Sequence, residues 1–208
     1  METITLHPSY VARDLLGTDV AVLRLKQAVH YSDKVKPVCL PSDPEETHDN
    51  QEAVAAGFGH SPGHQGVQRL SEANVTILSN ENCWDLIKDA AMDRVKEFHL
   101  EDEVTAEELE SSLETKICTE GELTSGTNTR NGDSGSSLNF FDEEHGRLMQ
   151  QQFRYLIYLL LCRYATVGVL SLALRDHLPS QWARMTGDLK MWIKSIATEA
   201  QDSDCGQN

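Results

Sequence analysis

Residues 129–138 read Thr129-Arg130-Asn131-Gly132-Asp133-Ser134-Gly135-Ser136-Ser137-Leu138. A serine set among glycines sits on a tight turn, where backbone N–H groups come close to a reacting carbonyl. Such donors stabilise the developing oxyanion, often the largest single contribution to catalysis. The stretch is not the nucleophile elbow of α/β-hydrolases, because G-x-S-x-G needs a glycine where Ser136 stands. By itself Gly132-Asp133-Ser134-Gly135 is also a common turn, so its meaning comes from what surrounds it.

What surrounds it is the punctuation of an all-β protein. Short β-branched runs at 20–25, 54–58 and 75–78 alternate with stretches at 41–44, 57–66 and 125–135 that are dense in Gly, Pro, Ser, Asn or Asp. Several short strands parted in this way predict a barrel or sandwich. Two helical stretches interrupt the pattern. Ile87, Ala91, Val95 and Phe98 recur at helical spacing, and Thr105-Ala106-Glu107-Glu108 makes a capping box ahead of Leu109 and Leu113. Near the end, Leu189, Trp192, Ile193 and Ile196 form one apolar stripe with Asp188 at its start. The tail beyond Ala200 is polar and is expected to be loose.

At 208 residues, with 39% hydrophobic and 25% charged side chains, the chain reads as an ordinary globular protein. Its formal charge of −15 argues against nucleic acid, whose phosphates require a basic face. Much of that charge is local: residues 85–117 hold eleven Asp or Glu against four Lys or Arg, a net of −7. A solvated acidic insertion is the plainest account of such a run. The longest apolar stretch, 155–174, contains Arg163, and its densest part, 155–162, is eight residues long. A membrane span needs about 20 apolar residues, so none is expected. The start, Met1-Glu2-Thr3-Ile4-Thr5-Leu6-His7, has no basic stretch leading into an apolar core, so no signal peptide is expected either.

Cys39, Cys83, Cys118, Cys162 and Cys205 show no C-x-x-C spacing, which speaks against structural zinc. An odd count cannot pair completely within the chain. A disulfide protein missing one partner and a reduced protein with inert thiols both fit. His60 and His64 lie in a Gly/Pro-rich stretch with no helix to align them, so a metal pair is not expected there. Asn74-Val75-Thr76 is a glycosylation sequon, meaningful only in a secreted protein.

The order of further motifs resembles the chymotrypsin/trypsin family of serine endopeptidases along nearly the whole chain. His7-Pro8-Ser9-Tyr10 followed by Gly17-Thr18-Asp19-Val20-Ala21-Val22-Leu23-Arg24-Leu25 is similar to the family's strand around its catalytic aspartate. Val35-Lys36-Pro37-Val38-Cys39-Leu40-Pro41 matches the link between its two barrels, and Ala55-Ala56-Gly57-Phe58-Gly59 the first strand of the second. Cys83 and Ile117-Cys118 stand where the family places a disulfide. Gly132-Asp133-Ser134-Gly135, Val167-Gly168-Val169-Leu170-Ser171 and Trp192-Ile193 complete the series.

The resemblance implies roles. Ser134 is the nucleophile, Asp19 the carboxylate that orients a histidine, and the N–H groups of Gly132 and Ser134 the oxyanion hole. Asp133 is the residue that pairs with a freshly cleaved N-terminal amine. Asn128, Ser171 and Ala173 belong to the specificity pocket, with Asn128 at its base. Cys83 and Cys118 form the disulfide, and Asn74 is the glycosylation candidate. No cofactor and no metal are implied; the partner is a protein or peptide substrate, met outside the cell.

Departures from the family sharpen the expectation. The family runs His…Asp…Ser, and the only histidine before Asp19 is His7, which matches the His-Pro loop instead. Without a general base, a serine hydroxyl is a poor nucleophile near neutral pH. The family's Ile-Val-Gly-Gly N-terminus is missing as well, leaving Asp133 no amine to meet. Strand 20–25 is expected to have an open edge, since most of a first barrel would precede it. Residues 151–166 interrupt an otherwise straight run, as a retained intron or a membrane- or partner-binding loop would. Asn128 replaces the trypsin-like aspartate, so no charge-based preference for Lys or Arg is expected. Arg130 stands at a usual pocket cysteine, and Ser136-Ser137 replace Gly-Pro.

The expected architecture is therefore all-β, a chymotrypsin-like double six-stranded barrel with most of the first barrel missing. It is one partial peptidase domain over 1–208. Residues 1–40 are the remnant of the first barrel and the linker. Residues 41–187 form the second barrel with insertions at 85–117 and 151–166, followed by a C-terminal helix at 188–200 and a tail at 201–208. The leading function is a secreted serine endopeptidase of which this sequence is an incomplete, inactive copy. The alternative is a non-catalytic homologue that binds a protein partner through the second barrel and the acidic insertion.

Overall fold

Alternate residues of Glu52–Gly57 turn inward: Ala53, Ala55 and Gly57 are buried while Glu52 is exposed. The same period-two burial places Val75 and Ile77 inside and Asn74 and Thr76 outside in Ser71–Leu78. Two such strands pair antiparallel, Ala55 opposite Ala73, and form the wall of a barrel. The computed structural model describes residues 1–11, 16–32, 35, 40–41, 43, 46–59, 70–121, 129, 132–133, 136–142, 147–153, 157–161, 164–168 and 178–197, with backbone alone at 121 and 141–168.

In chain order the elements are β1 (Thr3–Leu6), β2 (Val20–Arg24), β3 (Glu52–Gly57), β4 (Ser71–Leu78), α1 (Asn80–Glu97), α2 (Ala106–Ser111), a 3₁₀ turn (Ser112–Thr115) and β5 (Lys116–Gly121). There follow β6 (Ser137–Asp142), β7 (Arg147–Phe153), β8 (Ile157–Leu161), β9 (Tyr164–Gly168), β10 (Ser180–Arg184) and α3 (Gly187–Ile196). Six strands close an antiparallel barrel in the order β10-β5-β4-β3-β6-β7, consistent with the all-β, chymotrypsin-like architecture expected. Its core joins Ala53, Ala55, Val75, Ile77, Ile117, Leu138 and Trp182. Small alanines on β3 leave volume for the indole of Trp182, whose N–H donates to Thr119 Oγ1 at 2.8 Å. That bond satisfies the only polar atom of a wholly buried side chain.

A second sheet has the order β1-β2-β9-β8. Here the structure corrects the expectation of an open edge on strand 20–25. β2 pairs with β1 on one side, Leu23 opposite Ile4. On the other side it pairs with β9, Val20 opposite Gly168 and Arg24 opposite Tyr164. The physical reason is that an apolar strand buried along Val20–Leu23 demands ladder partners for its backbone, and the residues after β7 supply one. Of the 151–166 stretch, residues 151–153 belong to β7, which runs along β6 and β10, residues 157–161 form β8 against β9, and residues 164–166 pair with β2.

α3 joins the two sheets. Thr186 caps it, its Oγ1 accepting from the Leu189 N–H at 3.2 Å. Its apolar stripe lies as the spacing predicts, with Leu189 and Ile193 buried against Val20, Val22, Ala183 and Met185, and with Trp192 and Ile196 at the margin. The Lys190 ammonium donates to the Pro41 carbonyl at 2.9 Å.

The acidic segment folds as a helical unit with a core of its own. Ser79 caps α1 by accepting from the Asn82 N–H, and Cys83, Ile87, Ala91 and Val95 form its buried face. The capping box is formed: Glu108 N–H donates to Thr105 Oγ1 at 3.2 Å, and the Thr105 N–H donates back to the Glu108 carboxylate at 2.9 Å. Ala91, Val95, Val104 and Leu109 close one cluster, while Cys83, Ile87, Leu113 and Cys118 close another. The Cys83–Cys118 disulfide is present and ties α1 to β5.

Candidate active site

Asp19 stands immediately before β2, where the buried run Val20–Leu23 draws the chain inward. Both of its carboxylate oxygens are buried, and neither has a hydrogen-bond partner among the described residues. Burial accordingly pushes its pKa up to about 7, because low polarity disfavours the charged form. An orphaned carboxylate in such a place is costly to keep. Functional sites are one place where that cost is tolerated.

His7 is not its partner. The backbone N–H of Ser9 donates to His7 Nδ1 at 3.2 Å, and the Ser9 hydroxyl lies 2.8 Å from the same nitrogen. The ring packs edge-on against Trp192 with centroids 4.7 Å apart. Burial holds its pKa below the ordinary histidine value. His7 is thus a joint between the start of the chain and α3, which fits its match to a loop position.

Around the serine motif, the Ser136 N–H donates to the Asp133 carbonyl at 2.9 Å. This closes a four-residue turn whose central positions, Ser134 and Gly135, lie outside the described residues, as do Asn128, Ser171 and Ala173. Gly132 has φ of 92°, the left-handed region where a side chain is strained, so a glycine is required at the mouth of the turn. The β6–β7 register shifts between Leu138 and Asn139, with Gln151 of β7 as the extra residue; bulges of this kind re-aim backbone beside functional sites. Thr129, next to Asn128, meets Ser180 at the start of β10 through their hydroxyls, 2.5 Å apart.

The Asp133 carboxylate turns toward the end of β3, where the Gly59 N–H donates to it at 2.7 Å. A Cβ on either Gly57 or Gly59 would collide with that carboxylate, so both glycines are spacers for Asp133. In the sequence Gly57-Phe58-Gly59 reads as a strand signature running into the turn-rich stretch 57–66; the i, i+2 spacing, which puts both glycines on one side, is the signal of the cradle. His48, by sequence one of the downstream histidines in loop or insertion contexts, is a buried one. It has φ of 54°, its Nδ1 lies 3.2 Å from Gln51 Oε1 and 3.3 Å from Glu46 Oε1, and its ring lies on Phe140. A left-handed histidine in a polar turn carries no sequence signature of burial.

Asn74 is exposed on the outer wall of β4. His60 and His64 lie outside the described residues. No helix among the described residues is long and apolar enough to cross a membrane.

Comparison with known proteins agrees with this geometry. The trypsin family model matches residues 1–148. Mouse (Mus musculus) ovochymase-2 is 30% identical over 139 residues, covering 66% of this chain and 20% of that protein. The atrial natriuretic peptide-converting enzyme of Mus musculus is 34% identical over 83 residues, covering 40% of this chain and 7% of its own length. The human (Homo sapiens) enzyme of that name is 31% identical over the same span, 8% of its length. The chain therefore spans a fifth or less of these curated relatives. With a match over most of its length, and with an orphaned Asp19 and a Gly132–Ser136 turn in the family's order, this chain belongs to the trypsin family of serine proteases.

Proposed function

We propose that this chain carries the serine and aspartate of a secreted serine endopeptidase, and that the histidine comes from sequence outside these 208 residues. The observation that carries the reading is Asp19. Its two buried, unpartnered oxygens need an N–H donor, and an imidazole held by Nδ1–H supplies one. The imidazole's other nitrogen then takes the proton of Ser134 Oγ as that oxygen attacks the scissile carbonyl. Asp19 stabilises the imidazolium that forms, and the Gly132 and Ser134 N–H groups receive the oxyanion. The imidazolium returns the proton to the leaving amine, and water repeats the sequence to release the acyl group. Asn128 at the pocket base favours an uncharged substrate side chain. Alone, the chain keeps only the oxyanion hole and binding, a residual of roughly 10³–10⁴-fold over water in well-studied triads.

The test is phosphonate labelling of the purified chain at Ser134, with and without free imidazole. Labelling is expected to be slow alone and to rise with imidazole in a manner lost in Asp19→Asn and in Ser134→Ala. Fast labelling without imidazole would overturn the incompleteness. No Ser134-dependent labelling under either condition would overturn the endopeptidase reading.

That last outcome would favour a second reading, a non-catalytic homologue binding a basic protein partner. Supporting it is the construction of the acidic unit: α1 and α2 share a core, and the Cys83–Cys118 disulfide fastens α1 to β5 of the barrel, so the −7 segment is held on a fixed scaffold.

A further inference from the structure

β4 holds the Asn74-Val75-Thr76 sequon in one register. Val75 and Ile77 point into the barrel core, 3% and 0% exposed. Asn74 and Thr76 are one residue out of phase with them, so both lie exposed on the outer wall. Asn74 faces Val54 across the ladder, and Thr76 faces Glu52 on β3 and Glu120 on β5. A slip of one residue would turn Asn74 into the core and close the position to any bulky group; the inward Ile77 forbids that slip. A second observation concerns the compartment. The Cys83–Cys118 bond, formed just beyond β4, belongs to the oxidising lumen, and sequons are glycosylated in secreted chains.

We propose that Asn74 is an N-glycosylation site whose donor is a polyprenyl-pyrophosphate-linked oligosaccharide. Asn74 Nδ2 forms a bond to the anomeric carbon as that carbon's bond to the pyrophosphate oxygen breaks. The displaced amide proton goes to solvent and polyprenyl pyrophosphate leaves, with no change of oxidation state. The Thr76 hydroxyl, on the same face, is the sequon's second requirement. This inference rests on the secretory part of the proposed function, but not on catalysis through Ser134.

The test delivers the full chain, behind a cleavable secretory leader, into endoplasmic-reticulum microsomes, where protection from added protease reports delivery. The protected chain is expected to show one upward mass step. Peptide-N-glycosidase F should remove that step with deamidation at Asn74. The step should vanish in Asn74→Gln and Thr76→Ala and persist in Thr76→Ser. A protected chain with its Cys83–Cys118 bond formed but no mass step would overturn the proposal, as would a step that survives Asn74→Gln. Ser134→Ala should carry the same step, so loss of the protease reading leaves this result standing.

Discussion

At Asp19 the fold keeps a carboxyl group in a place that favours its protonated form. Its folded pKa of about 7 lies above the ordinary 3.8, so between those values the folded chain binds a proton that the unfolded chain has released. Stability therefore falls as pH rises through that window, and the full penalty is present above it. Asp19→Asn cannot ionise and should flatten this slope. With a discount for solvent screening, since the residue as a whole is only half-buried, the variant should gain roughly 1–2 kcal/mol at about pH 8, a few degrees in Tm, and little at about pH 4. Thermal melts of both proteins at the two pH values check this. A variant less stable than its parent at the higher pH would mean that the Asp19 charge already has a stabilising partner. Asp133 shows the opposite solution, since its carboxylate receives the Gly59 N–H and two glycines make room for it.

Among the elements, the helical unit shows how much local sequence can specify. The Thr105–Glu108 box and the Ile87, Ala91, Val95 face were legible because capping and helical periodicity act within a few residues. The Cys83–Cys118 pairing followed from family order and is formed across a separation of 35 residues. Closing a loop of that length limits the unfolded chain by about 4 kcal/mol in the chain-entropy account. The double variant Cys83→Ala, Cys118→Ala should therefore lower Tm by roughly 8–16 °C, as a thermal melt would record. An unchanged Tm would mean that the bond adds nothing to the unit. What was not legible in these elements depends on shape. The Gly57 and Gly59 cradle and the buried His48 are defined by chain segments that meet only in the fold, Asp133 in one case and Phe140 in the other.

For the molecule as a whole, the pairing of β2 matters most. Family order implies the strand that forms as β2 but also an open edge, because strand partners far apart in sequence leave no local mark. The structure gives that edge to β9, with β8 beyond it. The consequence is that the segment after β7 is a part of the fold on which the Asp19 strand depends. Thr166 sits between Val22 of β2 and Ile157 of β8. Its N–H must point toward one of these strands, so a proline there removes a ladder bond whichever it is. Thr166→Pro should destabilise the protein by about 3 kcal/mol or more. It should also speed amide exchange in Val20–Arg24 while leaving exchange in β3 and β4 of the barrel nearly unchanged. Hydrogen-exchange mass spectrometry separates the outcomes. Unaltered exchange across β2 would mean that β9 does not hold this strand, and would return Val20–Arg24 to the open edge that family order implies.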